Sequence, residues 1–145
     1  MKVPYDTYIV VADGSRALFL RNAGDDGLID LKVFDQEEID NPPTREQGTD
    51  RPGRFNDAGP GRSAVADTDW HELEKERFAQ HLADRLQKLV HNKPHTKLIL
   101  VAAPKILGEM RGALHKEVDA CVIGELAKDL TRHPVSEIEK IVHAS

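Results

Sequence analysis

The residues best suited to chemistry are cationic and fall in one unpatterned stretch, Gly48-Thr49-Asp50-Arg51-Pro52-Gly53-Arg54-Phe55-Asn56-Asp57-Ala58-Gly59-Pro60-Gly61-Arg62. Nothing in it alternates like a strand or repeats like a helix, and Gly and Pro punctuate it throughout. Its three arginines, Arg51, Arg54 and Arg62, stand in backbone that glycine leaves open to close approach, there being no Cβ in the way. Forked guanidinium groups beside unpaired backbone amides can hold a phosphate or carboxylate bidentately. The acidic neighbours Asp50 and Asp57 weaken nonspecific attraction, which favours a shaped anion site over a general electrostatic film. The same composition also suits a solvated connector that stays unordered without a partner.

Two carboxylates are candidates for acid–base or metal chemistry. Asp13, before Gly14, reads first as a turn-former. Its sharper reading is an acid at the carboxyl end of a central strand, where sites in open α/β sheets lie. Glu109 is the second candidate, and its plainer reading is an exposed ion pair with a nearby cation. A two-metal nuclease needs several converging carboxylates. The run Leu98 to Ala102 ends in Ala102-Ala103 where a second acid belongs, so no ribonuclease-H-type metal site is expected. Lys105 and Arg111 surround a helix beginning at Pro104 whose first amides favour anions; they also read as ordinary surface charge. Pro94 interrupts the spacing of His91 and His95, and no His-Glu-x-x-His or cysteine pair supports a metal centre. The expectation is no metal and no cofactor. Trp70 reads as a staple under the loop rather than a base-stacking platform.

Bulk properties bound these options. A chain of 145 residues with 39% hydrophobic and 31% charged residues is expected to form a single domain, 1–145, with a long mobile loop at about 36–67. A net charge of −5 argues against a generally cationic nucleic-acid or membrane binder but leaves room for a local basic patch. The lone Cys121 lies in the apolar run Ala120-Cys121-Val122-Ile123 and reads as a small buried hydrophobe, with no intrachain disulfide possible. The N-terminal residues lack an apolar signal core, and no run approaches the roughly 20 apolar residues of a spanning helix. Cytoplasmic localisation without membrane insertion is the expectation.

The elements that must position these groups follow from periodicity. Thr7 to Ala12 and Lys97 to Ala102 are near-continuous apolar runs, as for strands buried on both faces. Arg16 to Arg21 predicts a second strand after the Asp13-Gly14 turn. Leu28 to Asp35 predicts a third, with Ile29, Leu31 and Val33 alternating with Asp30, Lys32 and Phe34. A helix is predicted from an Asp69 N-cap, with Glu72 as its capping-box partner and Leu73, Phe78, Leu82, Leu86 and Leu89 as its apolar stripe. It should stop by Asn92-Lys93, before Pro94. A short helix follows Pro104, the segment Val118 to Leu126 is read as a strand, and a terminal helix begins near Pro134. The fold class is α/β: a mixed five-stranded sheet in the order β-β-β-α-β-α-β-α, ribonuclease-H-like, with the first strand central.

Several motifs occur together: Val11-Ala12-Asp13-Gly14-Ser15-Arg16-Ala17, Thr49-Asp50-Arg51-Pro52-Gly53-Arg54, Leu100-Val101-Ala102-Ala103-Pro104-Lys105-Ile106-Leu107-Gly108-Glu109-Met110-Arg111, and Lys128-Asp129-Leu130-Thr131. Their ordered set resembles the bacterial host attachment protein family, proteins required for attachment to host cells, across nearly the whole chain. That family is similar to the middle domain of archaeo-eukaryotic peptide-chain release factors, in which a mobile loop bearing Gly-Gly-Gln precedes a long helix. Here the corresponding residues are Gly59-Pro60-Gly61-Arg62, without glutamine, so peptidyl-tRNA hydrolysis is not implied. The resemblance implies a non-enzymatic binding protein associated with RNA or the ribosome. Arg51, Arg54 and Arg62 would meet the phosphate backbone, and Lys105 and Arg111 would flank it. The alternatives are a phosphodiester or ester hydrolase using Asp13 and Glu109, and a direct adhesion or protein-interaction module.

Overall fold

The computed structural model describes residues 1–39 and 60–145, with side chains in the second stretch described from residue 73 onward. The elements are strands β1 (Tyr8–Ala12), β2 (Arg16–Asn22) and β3 (Leu31–Glu38), helix α1 (Pro60–Asn92), strand β4 (Leu98–Ala102), helix α2 (Pro104–Ala113), the single turn α3 (Lys116–Asp119), strand β5 (Val122–Leu126) and helix α4 (Val135–Ala144). They build a mixed α/β fold around one five-stranded sheet of order β3-β2-β1-β4-β5. β1–β2 and β2–β3 pair antiparallel, whereas β1–β4 and β4–β5 pair parallel.

The two apolar runs owe their composition to position. β1 and β4 are central, and every one of their residues is buried. One face, carrying Tyr8, Val10, Phe19, Leu98 and Leu100, packs under Phe78, Leu82, Leu86 and Val90 of α1 and Ile106, Leu107 and Met110 of α2. The other, carrying Ile9, Val11, Leu20, Leu31, Ile99 and Val101, is covered by Ile138 and Val142 of α4 with Val3 and Leu130. Alternate residues of each strand serve opposite layers, which is why neither strand alternates in hydrophobicity. Among the described residues, no helix is long and apolar enough to cross a membrane.

Three boundaries differ from those the sequence suggests, each for a local reason. The third strand begins at Leu31 rather than Leu28 because buried Asn22 organises the preceding turn, its Oδ1 accepting from the amides of Gly24 and Asp30 at 2.9 Å. Its alternation also breaks: Leu20 opposes Val33 but Phe19 opposes Asp35, so Phe34 is an extra, bulged residue. Helix α1 begins at Pro60, not after Asp69, so Pro60, Gly61 and Arg62 form its first turn instead of closing a loop. Proline fits the first helical position, where its missing N–H has no partner to lose, and the Ala and Arg residues behind it are good helix formers. Of the predicted loop at 36–67, Gln36–Glu38 are therefore strand and 60–67 helix; 40–59 lie outside the described residues.

The third difference is Val118, which belongs to the helical turn α3 and not to the strand, so the order gains a helix between α2 and β5. Val118 is fully buried from that turn, contributing to the core as a strand residue would. α1 ends at Asn92, two residues before Pro94, and His95 reverses the chain with φ 70°.

Candidate functional site

The parallel strands β1, β4 and β5 all point their carboxyl ends to one edge of the sheet. Ala12 pairs with Ala102, so Asp13 and Ala103 leave adjacent strands side by side, about 4.8 Å apart in the pairing direction. Asp13 Oδ1 accepts from the amides of Ser15 and Arg16, both at 2.7 Å, and its own amide donates to the Arg16 carbonyl at 2.9 Å. Asp13 Oδ2 accepts from the Thr131 hydroxyl at 3.0 Å. Buried Thr131 also stands 2.7 Å from Asp129 Oδ1, so one hydroxyl hydrogen lies between two carboxylates. This latch ties the β1–β2 turn to the segment after β5.

Ala103 caps α2 without a side-chain hydrogen bond, and Pro104 occupies its first turn. The amides at the start of α2 thus face the strand ends with the positive end of the helix dipole, and Lys105 is exposed beside them. Arg111 lies six residues on, about 9 Å along the helix axis. Its guanidinium is engaged by β5: Nε donates to both carboxylate oxygens of Glu125 at 2.9 Å, and Nη2 also contacts Oε1. The hydrogen bond to Glu125 raises the Arg111 pKa, and Arg111 holds the Glu125 carboxyl below its usual range. Arg111 is therefore a strut between α2 and the sheet edge. The structure does not bring it beside Lys105.

Residues 6–142 match the model of bacterial archaeo-eukaryotic release factor family 12. The chain belongs to that family. It is also similar to the uncharacterized protein RP470 of Rickettsia prowazekii (strain Madrid E), at 31% identity over 91 residues. That match covers 61% of this chain and 61% of the Rickettsia protein.

In this family 12 chain the first described stretch ends at Ile39, whose amide donates to the Ser15 carbonyl at 2.7 Å. The Asp13 turn thus holds the end of that stretch directly. Arg51 and Arg54 lie outside the described residues, as do the side chains of Arg62 and Trp70. Glu109 sits on α2 with Oε2 buried and without a hydrogen-bond partner. Among the described residues no group of three or more His, Cys, Asp or Glu side chains could hold a metal ion.

Sequence reasoning did not single out the clasp between β3 and α1 in this family 12 chain. Arg85 lies 4.2 Å over the Phe19 ring, contacts Asp35 and meets Glu37 Oε1 at 2.9 Å. Burial works against the Arg85 charge, but the hydrogen bonds to Asp35 and Glu37 outweigh it and raise its pKa. Glu37 also holds His81 Nε2 at 2.9 Å. A groove of about 570 Å³ lies between the end of β3 and Glu74, Arg77, Phe78 and His81. Its charges are largely spoken for, since Glu74 meets Arg77 at 3.2 Å and Glu37 meets Arg85 and His81. The arrangement fastens an edge strand to a helix.

Proposed function

We propose that this protein is a non-enzymatic, cytoplasmic member of the host attachment kind that associates with RNA or the ribosome. The Arg/Gly/Pro segment carrying Arg51 and Arg54 supplies the phosphate contacts, and Lys105 with the first amides of α2 extends them. The observation that carries this reading is the Ile39–Ser15 hydrogen bond. It ties Ile39, from which the chain runs on towards that segment, to the Asp13 turn, one strand away from the amino end of α2. The sheet order is read as the ribonuclease-H-like arrangement of a release-factor middle domain, and membership of a release-factor-like family supports a translation-associated role.

Co-sedimentation with purified bacterial ribosomes across a salt series tests this. An Arg51→Ala/Arg54→Ala variant is expected to bind more weakly and with a flatter salt dependence, because fewer counterions are released. Equal sedimentation of the two proteins at every salt concentration would sink the reading. Hydrolysis is the second reading, favoured by the buried, unpartnered oxygen of Glu109. It is weakened by Asp13, whose Oδ1 holds the turn amides and whose Oδ2 meets Thr131.

A further inference from the structure

The amino end of β1, opposite the end that Asp13 follows, gathers aromatic rings and cations from β1, β2, β3 and the residue after α1. Tyr8 stands at its centre. The Tyr8 ring lies edge-on to Phe34 with centroids 5.4 Å apart, and Lys93 Nζ sits 5.0 Å from the ring centroid and 3.0 Å from the hydroxyl. Lys93 also meets Asp6 Oδ2 at 2.7 Å, while Arg21 meets Asp6 Oδ1 at 2.8 Å. The Arg21 guanidinium in turn lies 5.8 Å from the Tyr5 ring centroid. Phe34, Tyr8, Lys93, Asp6, Arg21 and Tyr5 therefore form one unbroken series of contacts.

Both outer rings of that series face water, Tyr5 being 63% exposed and Phe34 49%. Single exposed hydrophobics are ordinary; here two are pinned to the ends of one charged cluster. The charge does not cancel. Arg21 and Lys93 share one carboxylate, so the three groups carry one net positive charge, and both cationic side chains reach solvent. Donors also remain. Lys93 uses two of its three ammonium hydrogens, on Asp6 and Tyr8, and Arg21 engages Asp6 and Tyr5 with a guanidinium that has five.

Resting on the RNA-binding reading above, we infer that this face is a stacking platform for single-stranded RNA, in which Tyr5 and Phe34 take bases and Arg21 with Lys93 meets a phosphate. Rings stack on the π-face that every base has, and cations follow the backbone, so recognition is tolerant of sequence. A single strand is the occupant because its unstacked bases can splay onto aromatic side chains. The platform uses none of the Arg/Gly/Pro segment, so the two can fail separately.

Fluorescence anisotropy of the full chain with a short oligo(U) RNA, and with an abasic oligomer of the same length, tests the assignment across a salt series. Tyr5→Leu/Phe34→Leu removes both π-faces and keeps apolar bulk and every charge. It is expected to weaken oligo(U) binding about tenfold or more without changing the salt slope, and to leave abasic binding as in wild type. Lys93→Gln is expected instead to lower the slope of log K against log salt by about 0.7, the single-strand value for one phosphate contact. Tyr5→Phe/Phe34→Tyr keeps both rings and is expected to bind as wild type.

Undiminished oligo(U) binding by Tyr5→Leu/Phe34→Leu would overturn the platform. So would an equal loss in Tyr5→Phe/Phe34→Tyr, or wild-type protein that binds the two oligomers alike or binds neither. The RNA-binding reading outlives any of these results if Arg51→Ala/Arg54→Ala weakens co-sedimentation with ribosomes. It falls with the platform if that variant also matches wild type.

Discussion

Arg85 reaches Glu37 at 2.9 Å because one extra residue in β3 has turned the carboxylate round. With strict alternation Leu31, Val33, Asp35 and Glu37 would share a face, and both acids would point at the layer under α4. The bulge at Phe34 shifts the phase, so Asp35 opposes Phe19 and Glu37 opposes Ala17, on the face that α1 covers. Phe34 itself packs edge-on to Tyr8 with ring centroids 5.4 Å apart. A pattern break in the sequence thus becomes the fastening between an edge strand and the longest helix.

Replacing Arg85 by Met keeps the stem over Phe19 and removes the charge. The expected cost is about 1–2 kcal/mol in urea unfolding, combining a cation–π contact with partly exposed ion pairs. A cycle with Glu37→Gln should show coupling of about 0.5 kcal/mol or more, since the two groups touch. Additive losses would show that the 2.9 Å contact contributes nothing of its own.

Asp6 should contribute to acid sensitivity. Its carboxyl is held below the usual range first by Lys93, whose Nζ lies 2.7 Å from Oδ2, and then by Arg21 at 2.8 Å from Oδ1. A carboxyl with a lowered folded-state pKa stabilises the fold above its unfolded pKa, and that contribution is lost as pH falls through the folded value. Asp6→Asn should therefore melt lower than wild type at neutral pH, and the gap should close towards acid. Asparagine is the variant of choice because residue 6 has φ 67°, a conformation it tolerates better than alanine. A constant gap in melting temperature across the pH range would contradict the linkage.

Arg111 should behave as a structural residue, although the sequence places it with Lys105 around one helix. Arg111→Ala is expected to lower thermal stability and to leave unchanged the salt slope of the RNA binding proposed above, because its charge is matched by Glu125. Exchanging the pair, Arg111→Glu with Glu125→Arg, should recover the lost melting temperature. A reduced salt slope in Arg111→Ala would return this residue to the binding surface.

Much of the scaffold is legible because burial on two faces leaves a direct mark: β1 and β4 are apolar throughout since each feeds two core layers. Features that depend on packing between distant segments leave no such mark. The Phe34 bulge is visible only once Phe19 and Leu20 set the register, and the start of α1 at Pro60 was hidden by glycine and proline that suit a loop equally well. The site is harder still. Asp13 and Thr131 are 118 residues apart, and Tyr8 meets Phe34 and Lys93 from two other segments, so neither grouping has a spacing to read. Asp13 itself was visible as a turn residue, and its Oδ1 is used in that capacity.

The latch at Asp13 makes a prediction that separates structure from catalysis. Thr131 offers one hydroxyl hydrogen to Asp13 Oδ2 and Asp129 Oδ1, so one of the two contacts lacks a proton. Asp13→Asn resolves this. Its carbonyl oxygen can still accept from the amides of Ser15 and Arg16, while its NH2 donates to the Thr131 oxygen and frees the hydroxyl for Asp129. The variant should unfold within about 0.5 kcal/mol of wild type, whereas Asp13→Ala, which abandons the turn amides and Thr131 together, should cost about 1–3 kcal/mol. The RNA binding proposed above should be unchanged in Asp13→Asn, because the turn that holds Ile39 is intact. A hydrolase that used the Asp13 carboxylate would show the same stability in Asp13→Asn but would lose its turnover. Measuring both unfolding and phosphodiester or ester hydrolysis on this one variant therefore decides whether the carboxylate is there to shape the backbone or to react.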